Sequence, residues 1–156
     1  MNVRAPAVLL SLAMAAASNL VPHGAVLAQQ SARAKVSVWS GVYTAAQNKR
    51  GEEFHASACA QCHGSRLNGA GEPEQPASPA IAGPDFLRKW SGQTVAALFL
   101  YVRNLMPSDN PGSLSDQESI EAVAHMLAVS GIPAGDKELP PDRNALANVV
   151  IEDKPK

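Results

Sequence analysis

Two cysteines and a histidine, gathered in Cys59-Ala60-Gln61-Cys62-His63, are the residues of this sequence best equipped for chemistry. No other cysteine occurs in the chain. A disulfide across two residues would close a loop too small to constrain the fold. A thioredoxin-like redox pair needs a βαβ setting, and no strand pattern flanks the motif. Structural zinc needs four ligands, and no second Cys or Cys/His pair follows. What remains is Cys-x-x-Cys-His as a covalent haem attachment site. Two thiols about one helical turn apart can each bond a vinyl group of one porphyrin. His63, the next residue, then lies under the iron with its imidazole free to ligate.

The opposite face of the iron has few candidates. Beyond residue 28 the chain holds two methionines, Met106 and Met126, and two further histidines, His55 and His125. Asn104-Leu105-Met106-Pro107 ends an amphipathic stretch and enters a loop with Pro111 and Gly112. Pro107 stops the helix and biases Met106 toward extended backbone, so its thioether can be held at a fixed distance. Met126 sits inside a helical pattern and reads as core or surface. His55 lies one turn before Cys59, on the attachment side. Met106 is therefore the preferred distal ligand, with His125 or an open site as the alternatives.

The elements that must position these groups are short. Hydrophobic residues make up 46% of the 156-residue chain and charged ones 17%, which excludes a disordered chain and a multispan membrane protein. A net charge of −1 excludes a strongly basic nucleic-acid binder. Residues 1–28 read as a cleaved signal peptide: Arg4, an apolar run from Ala5 to Ala17, and Val26-Leu27-Ala28 before the cut. An uncleaved anchor is the competing reading, but Asn19, Pro22, His23 and Gly24 interrupt it. Export to the periplasm is the expectation, with residues 29–40 an N-terminal segment, 41–131 the haem domain and 132–156 an extension.

Periodicity predicts three main helices. The first runs from about Thr44 to Cys59, with Thr44 as N-cap and Gly51 leaving room for another helix to approach. The second runs from about Thr94 to Leu105, with Val95, Leu98, Phe99 and Val102 forming one apolar stripe. The third starts at Ser115, where Ser115 and Glu118 have capping-box spacing, and ends at Gly131 before Pro133. Its stripe is Ile120, Val123, Ala124 and Leu127. Gly64 to Gly83 reads as an irregular loop around one haem edge. Trp90, Arg66, Arg88, Lys89 and Arg103 are spaced to surround the pocket, and one or two of the cations are expected at the propionates. In the extension, Leu146, Val149, Val150 and Ile151 either pack down as a strap or stay mobile.

Cys59 to Gly64, then Met106-Pro107, then a short terminal helix, resemble a class I c-type cytochrome over residues 41 to 131. Trp39-Ser40-Gly41-Val42-Tyr43, the run from Met106 to Gly112 with Leu114 to Glu118, and Pro133 to Pro140 are similar to small cytochromes found with periplasmic quinoprotein alcohol dehydrogenases. The resemblance implies an all-α fold of three main helices and irregular loops around one covalently bound haem c. It also implies a proline carbonyl against the ligand histidine, for which Pro79 is the candidate. Relatives often carry aromatics at the places of Ile120 and His125; their absence predicts a looser contact between the first and last helices.

Iron held by His63 and Met106 has no position for oxygen or substrate, and Met/His ligation raises its potential. The expected role is a non-enzymatic electron carrier, working from a quinoprotein dehydrogenase toward a terminal oxidase. Two other readings stay open: a haem-bearing subunit held permanently in a dehydrogenase complex, and a ligand-binding or peroxidase-like protein with an open sixth site. No catalytic constellation stands out, and Glu52-Glu53 and Glu152-Asp153 read as solvated faces.

Overall fold

The computed structural model describes Met1, residues 35–70 and residues 78–155. The chain divides into two compact units, Met1–Ser31 and Ala32–Lys156, and every described element belongs to the second. The signal peptide expected over residues 1–28 lies, but for Met1, outside the described residues. Among the described residues no helix is long and apolar enough to cross a membrane.

The elements follow in the order β1 (Val36–Ser37), a 3-10 turn (Val38–Ser40), α1 (Ala45–Ala58), α2 (Ala60–His63), α3 (Pro84–Trp90), α4 (Val95–Leu105), α5 (Asp116–Val129), α6 (Arg143–Leu146) and β2 (Val149–Val150). The three expected helices are α1, α4 and α5, each starting where a side chain satisfies an otherwise unpaired N–H. Thr44 accepts from Gln47 N, Thr94 from Ala97 N, and Ser115 and Glu118 form a reciprocal capping box. The α4 stripe is buried as its period requires, and Ile120, Val123, Ala124 and Leu127 of α5 are all at 0% exposure. α3 was not anticipated. Pro84 at its first position is preset for a helix, and Phe86, Leu87 and Trp90 face the core.

α1 buries an unusual face. Its inward residues are Gln47, Gly51 and His55, one per turn and none of them apolar. Gly51 is where α1 and α5 meet: a Cβ there would collide with the Glu121 carbonyl oxygen and lie 2.9 Å from His125 Cβ. The contact is thus closer than the missing aromatics suggested, because a residue without a side chain lets two backbones touch. Arg50 adds an ion pair across the crossing to Glu121 and another to Glu138. Gly51→Ala gains helix propensity of up to ~1 kcal/mol, but the atom it meets is backbone and cannot rotate away. A net loss of about 2 kcal/mol is expected, within the range for overpacking, and is read as a lower urea midpoint of the haem-loaded protein. An unchanged midpoint would contradict the close crossing.

The extension packs down as a strap. Leu146 and Ile151 are fully buried. β2 pairs in parallel with β1, Val36 opposite Val149, and the Trp39 indole N–H donates to Glu152 O at 3.1 Å. Ile151 exchanges backbone bonds with Gly92 and Gln93. Further in, buried Gln47 acts as a piece of backbone: its amide donates to Leu139 O and accepts from Leu139 N. The Trp39–Tyr43 and Pro133–Pro140 runs meet directly, with Gly41 against Gly135 and the Tyr43 hydroxyl donating to Ile132 O at 2.5 Å. Burial pushes the Tyr43 phenol above its usual range.

Candidate haem-binding site

Cys59 sits at the break between α1 and α2. Its φ of −121° ends the first helix, and its carbonyl accepts from Cys62 N and His63 N to start the next. Cys59, Cys62 and His63 are thereby gathered on one short turn, all half-buried. No disulfide joins the two cysteines. Burial, with Cys62 adding, pushes the Cys59 thiol up to about 11. That shift disfavours the Cys59 thiolate, the form that thiol–disulfide exchange would need.

Gly64, at φ 75°, stops α2 and turns the chain away. The loop folds back on itself: Gly69 N donates to His63 O, and Ile81 N donates to Leu67 O. Leu67 holds a left-handed backbone, φ 57°, with its side chain 1% exposed; burial offsets the cost of that conformation. This return brings Pro79 O to 3.0 Å from His63 Nδ1. A carbonyl can only accept, so Nδ1 carries the proton and Nε2 presents its lone pair. Residues 71–77 of the loop lie outside the described residues.

Met106 stands on a separate element, at the end of α4. Its N–H bonds to Val102 O, its backbone is extended at φ −115° and ψ 149°, and its side chain packs half-buried against the core. Its extended backbone is the one that Pro107 favours. Large apolar side chains stay exposed on the last turns of the same helix, Tyr101 at 42% and Leu105 at 49%.

His55 and His125 belong to the α1–α5 crossing. His55 Nε2 donates to Gly64 O at 2.9 Å, His125 Nδ1 donates to Asn48 Oδ1 at 2.9 Å, and the two rings lie 5.5 Å apart. Burial, and then the neighbouring His55, hold the His125 imidazole below its ordinary range against an opposing pull from Glu52. Met126 is buried in the core. Of the cations expected at the propionates, Arg88 pairs with Asp85 and Arg103 with Asp116; Arg66 and Lys89 are exposed. Trp90 packs edge-on against Tyr101 at 5.7 Å. The hydrogen-bonding roles of His55, Gln47 and Arg103 were missed from sequence, because their partners are loop carbonyls or residues far along the chain.

These residues fit a covalently held haem. The turn supplies two thiols and an imidazole with the correct nitrogen exposed, and α4 ends on a thioether beside exposed apolar side chains. Among the described residues no group of three or more His, Cys, Asp or Glu could hold a metal ion.

The profile of the family described as "Cytochrome C oxidase, cbb3-type, subunit III" matches residues 46–126. No curated protein matches the chain. Among solved structures, the sulfane dehydrogenase SoxCD from Paracoccus pantotrophus is similar at 22% identity and a TM-score of 0.47. That similarity covers 71% of this chain and 54% of the SoxCD chain, so the chain spans about half of its neighbour. With more than half of its length matched, the chain belongs to the cytochrome c family of cbb3-type oxidase subunit III, with a class I cytochrome c fold, covalently bound haem c and its iron, and electron transfer as its chemistry.

Proposed function

We propose that the protein is a periplasmic monohaem electron carrier, with haem attached at Cys59 and Cys62 and iron ligated by His63 and Met106. When bound, the haem iron supplies a one-electron couple whose potential Met/His ligation raises. The observation that carries this reading is the His63–Pro79 bond, which fixes the tautomer and the plane of a ligand that has to stay put in both oxidation states. Met106, on an extended backbone at a helix end, fills the remaining position and leaves none for a substrate. The proposed organisation is a cleaved signal at 1–28, an N-terminal segment at 29–40, a cytochrome domain at 41–131 and an extension at 132–156.

The proposed donor is a quinoprotein alcohol dehydrogenase and the proposed sink a terminal oxidase. The support is three sequence runs that resemble those of cytochromes found with such dehydrogenases, two of which pack on each other through Gly41 and Gly135. Stopped-flow mixing of the oxidised protein with a substrate-reduced quinoprotein alcohol dehydrogenase is expected to reduce the haem at roughly 10⁵–10⁷ M⁻¹s⁻¹. Reduction no faster than by an unrelated reduced flavoprotein would remove that donor. The family's description as an oxidase subunit favours a second reading, a haem-bearing subunit of a stable complex. Co-purification with a partner in a fixed ratio separates it from a free carrier.

A further inference from the structure

We propose that Arg103 is a positioning residue for the sixth iron ligand: it clamps the loop that begins at Met106. The inference rests on the reading of Met106 as that ligand. Arg103 lies three residues before Met106, in the last turn of α4. Its Nε donates to Asp116 Oδ1 at 2.7 Å and its Nη1 to Gly112 O at 2.9 Å. Asp116 is the first residue of α5 and Gly112 sits mid-loop in a left-handed turn, φ 77°. One guanidinium therefore ties the helix that ends on Met106 to both the middle and the far end of the loop.

The loop has few other restraints. Residues 108–113 are all exposed. Among the described residues, backbone bonds within it run only from Asn110 N to Pro107 O and from Ser113 N to Asn110 O, and its first buried apolar anchor after Met106 is Leu114. The Ser115 hydroxyl and N–H hold the Glu118 carboxylate below its usual range, with Arg103 contributing, so this end of the loop is anionic and attracts the guanidinium. An exposed ion pair alone is worth little. Arg103 differs in being only 30% exposed at its side chain and in bridging a carbonyl and a carboxylate. That fork is available to Arg and not to Lys.

The test uses the haem-loaded ferric protein and imidazole as a competing sixth ligand. The clamp sets how often Met106 leaves the iron, and therefore the apparent imidazole affinity. Arg103→Gln is expected to keep covalent haem and the far-red band of thioether-ligated ferric haem, yet to bind imidazole roughly tenfold more tightly. Arg103→Lys should recover only part of the loss. Asp116→Asn, which leaves Arg103 in place, should show a smaller effect in the same direction and serves if Arg103→Gln does not fold. Tyr43→Phe, which removes a buried bond outside the loop, controls for lowered stability and should leave the affinity unchanged. Wild-type affinity in both Arg103→Gln and Asp116→Asn, or an equal gain in Tyr43→Phe, overturns the proposal. Failure of the underlying ligand reading shows separately, as a far-red band and imidazole affinity that Met106→Ala does not alter.

Discussion

Replacing Cys59 and Cys62 together by Ala is expected to abolish covalent haem, with loss of the haem-stained band after denaturing electrophoresis. The expected effect is complete because the chain has no other cysteine to form a thioether. The competing use of the pair, thiol–disulfide exchange, is disfavoured at Cys59. The two residues share one turn with His63, no disulfide joins them, and the Cys59 thiol is shifted upward by burial. The loss also reaches the fold, since an attached haem packed in the core would add apolar contacts that only the folded state makes. The haem-free chain is expected to melt at lower temperature than the loaded one, read by circular dichroism. Haem surviving denaturing electrophoresis in the double variant would refute attachment at this motif.

Met106→Ala is expected to open the sixth position while leaving haem attached. The reduced variant should bind carbon monoxide promptly, and the ferric variant should lose its thioether far-red band. Its potential should fall by on the order of 0.1 V, a modest part of the roughly 0.8 V that axial ligands command. The geometry argues that no other side chain takes over. His55 and His125 are held in the α1–α5 crossing by Gly64 O and Asn48 Oδ1, and Met126 is buried within α5. Since Met106 is half-exposed at a helix end, its truncation should cost little stability. A variant with the parent spectrum would show that another residue ligates the iron.

The chemistry of this chain is more legible in its sequence than its packing. Cys59, Cys62 and His63 stand out because they fall in one pentapeptide, which the fold keeps on one turn, and Met106 because Pro107 marks the end of its helix. α4 and α5 announce themselves through apolar stripes and capping residues. α1 shows in its sequence through its Thr44 cap and not through an apolar stripe, because its buried face is Gln47, Gly51 and His55, and only the absent Cβ at Gly51 hints at the helix laid across it. α3 is too short for its period to show. β1 and β2 are two residues each, below the length at which alternation can appear. Whether the extension packs down depends on partners over a hundred residues away, as for Trp39 and Glu152 O. Arg103 illustrates the limit: its charge and place suggest a propionate ligand, and only the folded loop shows it turned to Asp116 and Gly112.

An iron closed by His63 and Met106 would pass electrons and bind nothing else. That closure is tested most directly by the absorption spectrum of the reduced, haem-loaded wild-type protein at neutral pH, before and after carbon monoxide. No change is expected on adding the gas. A prompt shift would show an open or labile sixth position and contradict the assignment of this protein as an electron carrier.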